Sequence, residues 1–126
     1  MDFRKTVDRY FECVDARDRA GWLDLFSDEP GLAQTDPVGT PSRHSKEELG
    51  AFWDQITGLL PELTLTPQEF FPGHPHIALT WEGRGRGNNG TAVVFRGIDI
   101  FTPDSQGKIL KLDAYWDAAA TLPLIT

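Results

Sequence analysis

The chain has a single cysteine, Cys13, among its 126 residues, and it contains no long apolar run. One cysteine excludes an internal disulfide and favours a reducing compartment. The first residues, MDFRKTVDRYFEC, are polar and amphipathic, and no segment approaches the ~18 consecutive apolar residues of a membrane span. We therefore expect a soluble, cytoplasmic protein that does not enter a membrane.

Basic residues are also scarce, with 12 Lys and Arg against 19 Asp and Glu and a net charge of −7. Nucleic acids and anionic membranes bind surfaces on which Lys and Arg are clustered. Here the basic residues are scattered, and the densest group, Arg84-Gly85-Arg86, is typical of a hairpin tip. The sequence therefore predicts no nucleic-acid partner.

Two short motifs resemble binding sites but lack the required context. The stretch GRGNNG, residues 85–90, fits the letters of a dinucleotide-binding loop, yet the residues after it predict a strand and not a helix. It is therefore a turn. His74 and His76 lie close together without a third ligand at a suitable spacing, so we expect no metal site.

Repeats and linkers are absent, which indicates one domain over residues 1–126. Apolar residues recur at helical spacing over 3–16, over about 19–26, and after Ser45, which forms a capping-box pattern with Glu48. Four strand-like stretches follow, ELTLT, HIALTWEG, TAVVFRGIDIF and KILKLDAYW, and turn sequences separate the last three. Helices followed by antiparallel strands predict an α+β fold, in which three amino-terminal helices cover one face of a curved sheet.

The strand TAVVFRGIDIF is apolar on both faces. Ala92, Val94, Ile98 and Ile100 share one face, which only Arg96 interrupts. Because three helices cannot cover both faces of the sheet, we expect a second copy of the chain to cover this one in a homodimer. The alternative is that the carboxy-terminal segment AAATLPLIT folds over it.

Asp99 occupies the opposite face of the same strand, together with Val93, Phe95, Gly97 and Phe101. An ionised carboxylate is very costly in apolar surroundings, so such a group normally stays protonated with a raised pKa. The neutral acid carries an O–H donor that the anion lacks. The alternatives are an aspartate bonded to a neighbouring strand, or a register that differs by one residue.

Two further polar residues stand in apolar surroundings. Tyr10 lies on the apolar stripe of the first helix, where a phenol is more often a core residue than a catalytic one. Asp36 precedes a proline in TDPVG, a common start for a turn. However, Leu32, Ala33 and Val38 flank it, which favours a carboxylate at the rim of an apolar hollow.

The segments RYFECVDARD, LFSDE, TDPVG, GIDIF and AYW resemble, in order and approximate spacing, the ketosteroid isomerases. These steroid Δ5-isomerases belong to the superfamily named after nuclear transport factor 2, also called SnoaL-like. The resemblance implies a cone-shaped, cystatin-like fold. It also implies that Tyr10 is an oxyanion-hole donor, Asp36 the general base, and Asp99 a protonated oxyanion-hole acid.

The activity implied by this resemblance moves a carbon–carbon double bond into conjugation with a ketone, as from a 3-oxo-Δ5-steroid to its Δ4 isomer. The substrate would be a small hydrophobic ketone, a steroid or polyketide, and the family uses neither metal nor cofactor. Phe26 and Trp53 stand where some members carry tyrosines behind the oxyanion-hole tyrosine. The expected pocket lining comprises Phe52, Trp53, Trp81, Phe95, Phe101, Leu110, Leu112, Ala114 and Trp116.

Two other functions remain open for the same fold. Epoxide hydrolases and polyketide cyclases activate water or a hydroxyl, so Asp36 could serve as base and Asp99 as acid, helped by Glu62 or Glu69. A non-catalytic domain that binds an apolar ligand is the third possibility.

Overall fold

The computed structural model describes residues 2–126, so Met1 of the predicted domain lies outside the described residues. The helices are α1 (Phe3–Ala16), α2 (Arg19–Asp24), α3 (Lys46–Leu59) and α4 (Ala118–Ile125). The strands are β1 (Ala33–Thr35), β2 (Glu62–Gly73), β3 (His76–Arg86), β4 (Ala92–Pro103) and β5 (Ile109–Trp116). Within residues 2–126, no helix combines the length and apolarity that crossing a membrane requires.

The five strands form one sheet in the order β1-β5-β4-β3-β2. β1 runs parallel to β5, and the other neighbours are antiparallel. The β3–β4 turn contains the last four residues of GRGNNG, while Gly85 and Arg86 belong to the end of β3, and His74-Pro75 forms the β2–β3 turn. The predicted α+β arrangement, with three helices before the main strands, is confirmed.

Helix α1 directs its apolar stripe, including Tyr10, into the core. It begins where the side chain of Asp2 accepts a hydrogen bond from the amide of Arg4. It ends at Arg17, whose left-handed backbone lets the amide of Asp18 bond to the carbonyl of Cys13 at 2.9 Å. This ending turns the chain at once into α2 and brings Arg17 close to the end of α3.

Helix α3 begins at the predicted cap, because Ser45 Oγ accepts a hydrogen bond from the amide of Glu48 at 3.1 Å. The carboxylate of Glu48 accepts from the amide of His44 at 2.8 Å, one residue earlier than a reciprocal capping box would place it. The helix thereby presents Phe52 and Trp53 to the inner face of the sheet.

Asp99 has the inward position that alternation predicted. It pairs with Leu79 on β3 and with Ala114 on β5, and only 3% of its surface is exposed. Val93 and Phe101 on the same face are also buried. The alternative register, which would turn the carboxyl outwards, is therefore wrong.

Two irregularities bend the sheet. The register shifts on β2 between Pro67 and Phe70, and again where β4 meets β5 beyond Thr102. At the second point Pro103 pairs with Ile109, one residue out of step. A bulge of this kind exchanges the two faces of the strand, so Ile109 takes the buried inward position and Leu110 is displaced from it.

Residues 2–126 leave the outer face of the sheet open. The side chains of Val94, Ile98 and Tyr115 are 57%, 46% and 47% exposed. Helix α4 packs through Ile125 against Leu60 and Val93, at the inner side of the sheet. The alternative, in which the carboxy-terminal segment folds over the outer face, is therefore wrong.

Candidate active site

One apolar cavity lies between α1, α2, α3 and the inner face of the sheet. The cavity measures about 620 Å³ with its open mouth included, and its lining is mostly apolar and aromatic, which suits a small hydrophobic molecule. The residues predicted from sequence that border it are Tyr10, Asp36, Asp99, Phe52, Trp53, Trp81, Phe95 and Trp116.

Four predicted lining residues do not reach the cavity. Phe101, Leu112 and Ala114 are buried in the packed core behind its wall. The ring of Phe101 lies edge-on to that of Tyr10 at 5.2 Å, so it supports a lining residue and does not contact the cavity. Leu110 is excluded because the bulge in β5 turns it away.

Other residues that were not predicted from the sequence also line the cavity. They come from the end of α1, from α2, from the second half of α3 and the residue after it, and from β2. The apolar periodicity of α1 and α3, and the alternation in ELTLT, contained the signal for the apolar members. No sequence pattern indicated that Trp22 or Arg17 would face the cavity. The additional residues are Val14, Arg17, Trp22, Ile56, Thr57, Leu60, Leu63 and Leu65.

The carboxyl group of Asp99 is almost wholly buried, and the indole of Trp81 is the side chain beside it that can donate a hydrogen bond. Burial raises its pKa well above the usual value, and the negative charge of Asp36 raises it further. The indole of Trp81 is near enough to oppose this shift, yet its buried N–H makes no hydrogen bond to a described residue. Burial and the nearby charge therefore both favour the protonated form of Asp99, which carries an O–H donor at the cavity wall.

Asp36 is held on a loop that follows β1, where its carboxylate accepts a 2.6 Å hydrogen bond from the indole Nε1 of Trp116. The loop is fixed by the amide of Val38, which donates to the carbonyl of Ala114 at 2.8 Å. Arg43 donates to the Asp36 carbonyl at 3.4 Å. These contacts hold the carboxylate at the edge of the apolar space.

The pKa of Asp36 is also raised by burial, but the hydrogen bond from Trp116 and the charge of Arg43 oppose that increase. Its negative charge contributes to the raised pKa of Asp99, whereas Asp99 is not among the groups that shift Asp36. These effects favour ionisation of Asp36 before Asp99.

Tyr10 is buried among aromatic rings, with centroid distances of 5.2 Å to Phe11 and 6.3 Å to Phe26. Burial raises the pKa of its phenol well above the usual value, and the charges of Asp99 and Asp36 add to the effect. The phenol therefore stays protonated and can donate. Phe26 stands beside it without a hydroxyl, while the indole of Trp22 is close enough to lower the phenol pKa.

A model of the SnoaL-like domain family matches residues 7–112 of the chain. The chain belongs to the SnoaL-like domain family. The resemblance inferred from sequence is thereby confirmed at the level of the family.

Solved structures place this SnoaL-like chain among proteins of the nuclear transport factor 2 fold, as predicted. The Δ5-3-ketosteroid isomerase from Mycobacterium sp. is 28% identical, with a TM-score of 0.81 over 94% of this chain and 95% of that one. A Mycobacterium tuberculosis protein in complex with estradiol-17β-hemisuccinate is also 28% identical, with a TM-score of 0.79 over 96% and 95% of the two chains.

The epoxide hydrolase/cyclase-like enzyme SalBIII, which has a role in pyran ring formation in the polyether salinomycin, has the same fold. It is 22% identical to this SnoaL-like chain, with a TM-score of 0.79 over 90% of this chain and 89% of that one. At this level of identity the likeness concerns the fold alone.

The raised pKa of Asp99 predicts how the stability of this SnoaL-like domain depends on pH. In the unfolded chain an aspartate ionises near pH 3.9, whereas the folded carboxyl stays protonated to a much higher pH. The stability that this group contributes is fully present below about pH 3.9, and it is lost as the pH rises towards the folded pKa.

Asp99→Asn, which cannot ionise, should therefore gain stability over the wild type as the pH rises, by up to about 1.4 kcal/mol per pH unit between about pH 4 and the folded pKa. Urea unfolding from pH 3 to pH 8 would measure the difference. A difference in free energy of unfolding that stays constant across this range would contradict the prediction.

Proposed function

We propose that this protein is an isomerase that moves a carbon–carbon double bond into conjugation with a ketone by allylic proton transfer, in a small flat hydrophobic ketone such as a 3-oxo-Δ5-steroid. The observation that carries the proposal is the cavity that Asp36, Asp99 and Tyr10 line together. Burial favours the neutral form of Asp99, while the hydrogen bond from Trp116 and the charge of Arg43 favour the ionised form of Asp36. The likeness to a ketosteroid isomerase and to a protein that binds a steroid ester supports it.

In the first step the carboxylate of Asp36 removes a proton from the carbon between the ketone and the double bond. The electron pair that bonded this proton moves towards the carbonyl, and negative charge develops on the oxygen. Asp99 and Tyr10 then donate hydrogen bonds to that oxygen from fixed positions where water is scarce. Donors arranged in this way stabilise a developing charge, and losing one typically costs about 3 kcal/mol of barrier.

In the second step the protonated Asp36 returns its proton to the carbon two positions further along the dienolate. The double bond then lies next to the carbonyl, and Asp36 is again a carboxylate. Substrate and product have the same formula, so the reaction balances without an oxidant, a reductant or a transferred group. General base catalysis of this type usually contributes about 10²- to 10⁴-fold.

Two indole groups would support the two oxyanion donors in place of the tyrosines found in some ketosteroid isomerases. The N–H groups of Trp22 and Trp81 are buried and have no acceptor among the described residues, and they lie close to Tyr10 and Asp99, respectively. When these acids donate to the oxyanion, their own oxygens gain negative charge. A nearby N–H donor then stabilises that charge cooperatively.

The test is to follow conjugated enone formation from a 5-ene-3-ketosteroid by ultraviolet absorbance. We expect Asp36→Asn to lower kcat/KM by about 10²- to 10⁴-fold and Tyr10→Phe to lower it by about 10²- to 10³-fold. Asp24→Asn, at a side chain that is 82% exposed, is the matched control and should keep full activity. Absence of turnover by the wild type, or full turnover by Asp36→Asn, would overturn the proposal.

The hydrolase or cyclase alternative would use the same two carboxyl groups, but its expected helpers lie elsewhere. Glu62 pairs with Arg86 at 3.3 Å, and Glu69 lies in a groove on the outer face of the sheet. Mass spectrometry separates the reactions, since hydrolysis adds water and isomerisation leaves the mass unchanged. Ligand binding without conversion of either a ketone or an epoxide would favour the non-catalytic alternative.

The hydrogen bond from Trp116 predicts a shift in the pH profile. Because this N–H lowers the pKa of Asp36, Trp116→Phe should raise that pKa and move the acid limb of the kcat/KM profile to higher pH. Trp53→Phe, which alters another indole of the cavity wall, should leave the acid limb in place. Equal shifts in both variants would contradict the assignment.

We further propose a homodimer in which the exposed outer face, around Val94, Ile98 and Tyr115, pairs with its copy. A stable interface of this kind buries about 800 Å² per partner. Light scattering should give twice the chain mass for the wild type and the chain mass for Ile98→Glu. Leu124→Glu, at another exposed apolar residue, should remain dimeric, and a monomeric wild type would refute the pairing.

A further inference from the structure

The guanidinium group of Arg17 borders the same cavity, and not all of its N–H groups have hydrogen-bond partners. Its Nη2 donates to the carbonyl of Leu60 at 2.6 Å. Its Nη1 is buried and has no hydrogen-bond partner within residues 2–126. Burial alone lowers the pKa of Arg17, and no neighbouring carboxylate opposes that shift. The group is therefore a cation at the cavity wall that lacks a counter-charge.

The backbone helps to fix this cation in place. Arg17 has a positive φ of 57° at the carboxyl end of α1, a position that favours glycine. A long side chain is uncommon there, and residues in such conformations are concentrated at functional sites. The left-handed turn and the bond to Leu60 together hold one edge of the guanidinium, so that Nη1 is left for another acceptor.

Arg17 lines the cavity at a distance from Tyr10 and Asp99. Leu60, to which it bonds, lies against Gly85, and Gly85 pairs with Val93 on β4. Val93 is six residues from Asp99, or about 20 Å along a strand. Tyr10 is seven residues before Arg17 on α1, or about 10 Å along the helix axis. Arg17 is thus on the order of 10–20 Å from Tyr10 and Asp99.

The walls near Arg17 supply no acceptor of their own. Val14, Ile56 and Leu63 are apolar, and the hydroxyl of Thr57, which donates to the carbonyl of Trp53 at 2.7 Å, does not accept a hydrogen bond from Nη1 of Arg17. Arg17 is half-buried, but its Nη1 is buried without a partner, and a bound anion would satisfy that N–H and compensate the charge. A neutral oxygen could accept the hydrogen bond but would leave the charge uncompensated. The planar guanidinium is also well matched to carboxylate oxygens.

We propose that Arg17 binds a carboxylate at the end of the ligand that is remote from the ketone. The substrate class is then a flat, apolar keto acid, with its ketone at Tyr10 and Asp99 and its carboxylate at Arg17. This inference deepens the proposed function, because it rests on that cavity as the substrate site. It assigns Arg17 to substrate selection, with no part in the proton transfer.

The probes are 3-oxoandrost-4-ene-17β-carboxylic acid and its methyl ester, which differ only in the charge at the remote end. Quenching of tryptophan fluorescence at pH 7 reports binding, since indoles line the cavity. We expect the wild type to bind the acid about 10- to 100-fold more tightly than the ester. Equal affinities, or no binding of either compound, would overturn the proposal without any variant.

Arg17→Gln should abolish the preference for the acid and leave the affinity for the ester nearly unchanged. Arg84→Gln removes the same charge from a side chain that is 69% exposed, and it should keep the preference. A preference that survives in Arg17→Gln would contradict the role of Arg17. Where Arg17→Gln fails to fold, Arg17→Lys serves instead, and it should weaken the preference because lysine lacks the planar fork.

The binding experiment and the enone assay test different proposals, so either one can fail while the other succeeds. The enone assay uses an uncharged ketosteroid and depends on Asp36, whereas the acid and ester are compared by binding alone. Turnover of the ketone with equal affinity for acid and ester would refute the carboxylate site only. A preference for the acid without any turnover would refute the isomerase only.

Discussion

The exclusion of water around Asp99 is the constraint on which the rest of the site depends. Burial of a carboxyl group that is only 3% exposed strongly favours its neutral form over the carboxylate. The negative charge of Asp36 strengthens this preference. If water reached Asp99, both carboxyl groups would ionise at neutral pH, and the cavity would lose its acidic donor. The aromatic packing around Tyr10 and Trp81 therefore maintains the protonation pattern as well as the shape.

Tryptophan indoles accompany all three polar groups of the site. Trp116 bonds to Asp36, while Trp22 and Trp81 lie near Tyr10 and Asp99. An indole combines a large apolar surface with one N–H donor, so it can exclude water and still stabilise a negative oxygen. Because an indole N–H donates a hydrogen bond and cannot accept a proton, these tryptophans do not compete with Asp36 as the base.

Sequence patterns predicted the parts of the molecule in which a regular period continues over many residues. Helices α1 and α3, the four long strands and the inward position of Asp99 follow from such periods. Strand β1 is only three residues long, which is too short to show a periodic pattern. The bulge before Leu112 exchanges the two faces of β5, so the alternation of apolar residues along that strand is interrupted. Arg17 could not be foreseen, because a left-handed helix end and a contact 43 residues away together decide its direction.

Because Asp36 follows the short strand β1, the position of this base can change without a change in the positions of the two hydrogen-bond donors. Tyr10 and Asp99 stand on a 14-residue helix and a 12-residue strand deep in the core, whereas Asp36 follows three residues paired at the sheet edge. A change in the length of β1 or of the loop after it would move the carboxylate of Asp36 relative to a bound molecule. Tyr10 and Asp99 would keep their positions. One scaffold could thereby diverge towards proton abstraction from different carbons, through insertions confined to a single peripheral loop.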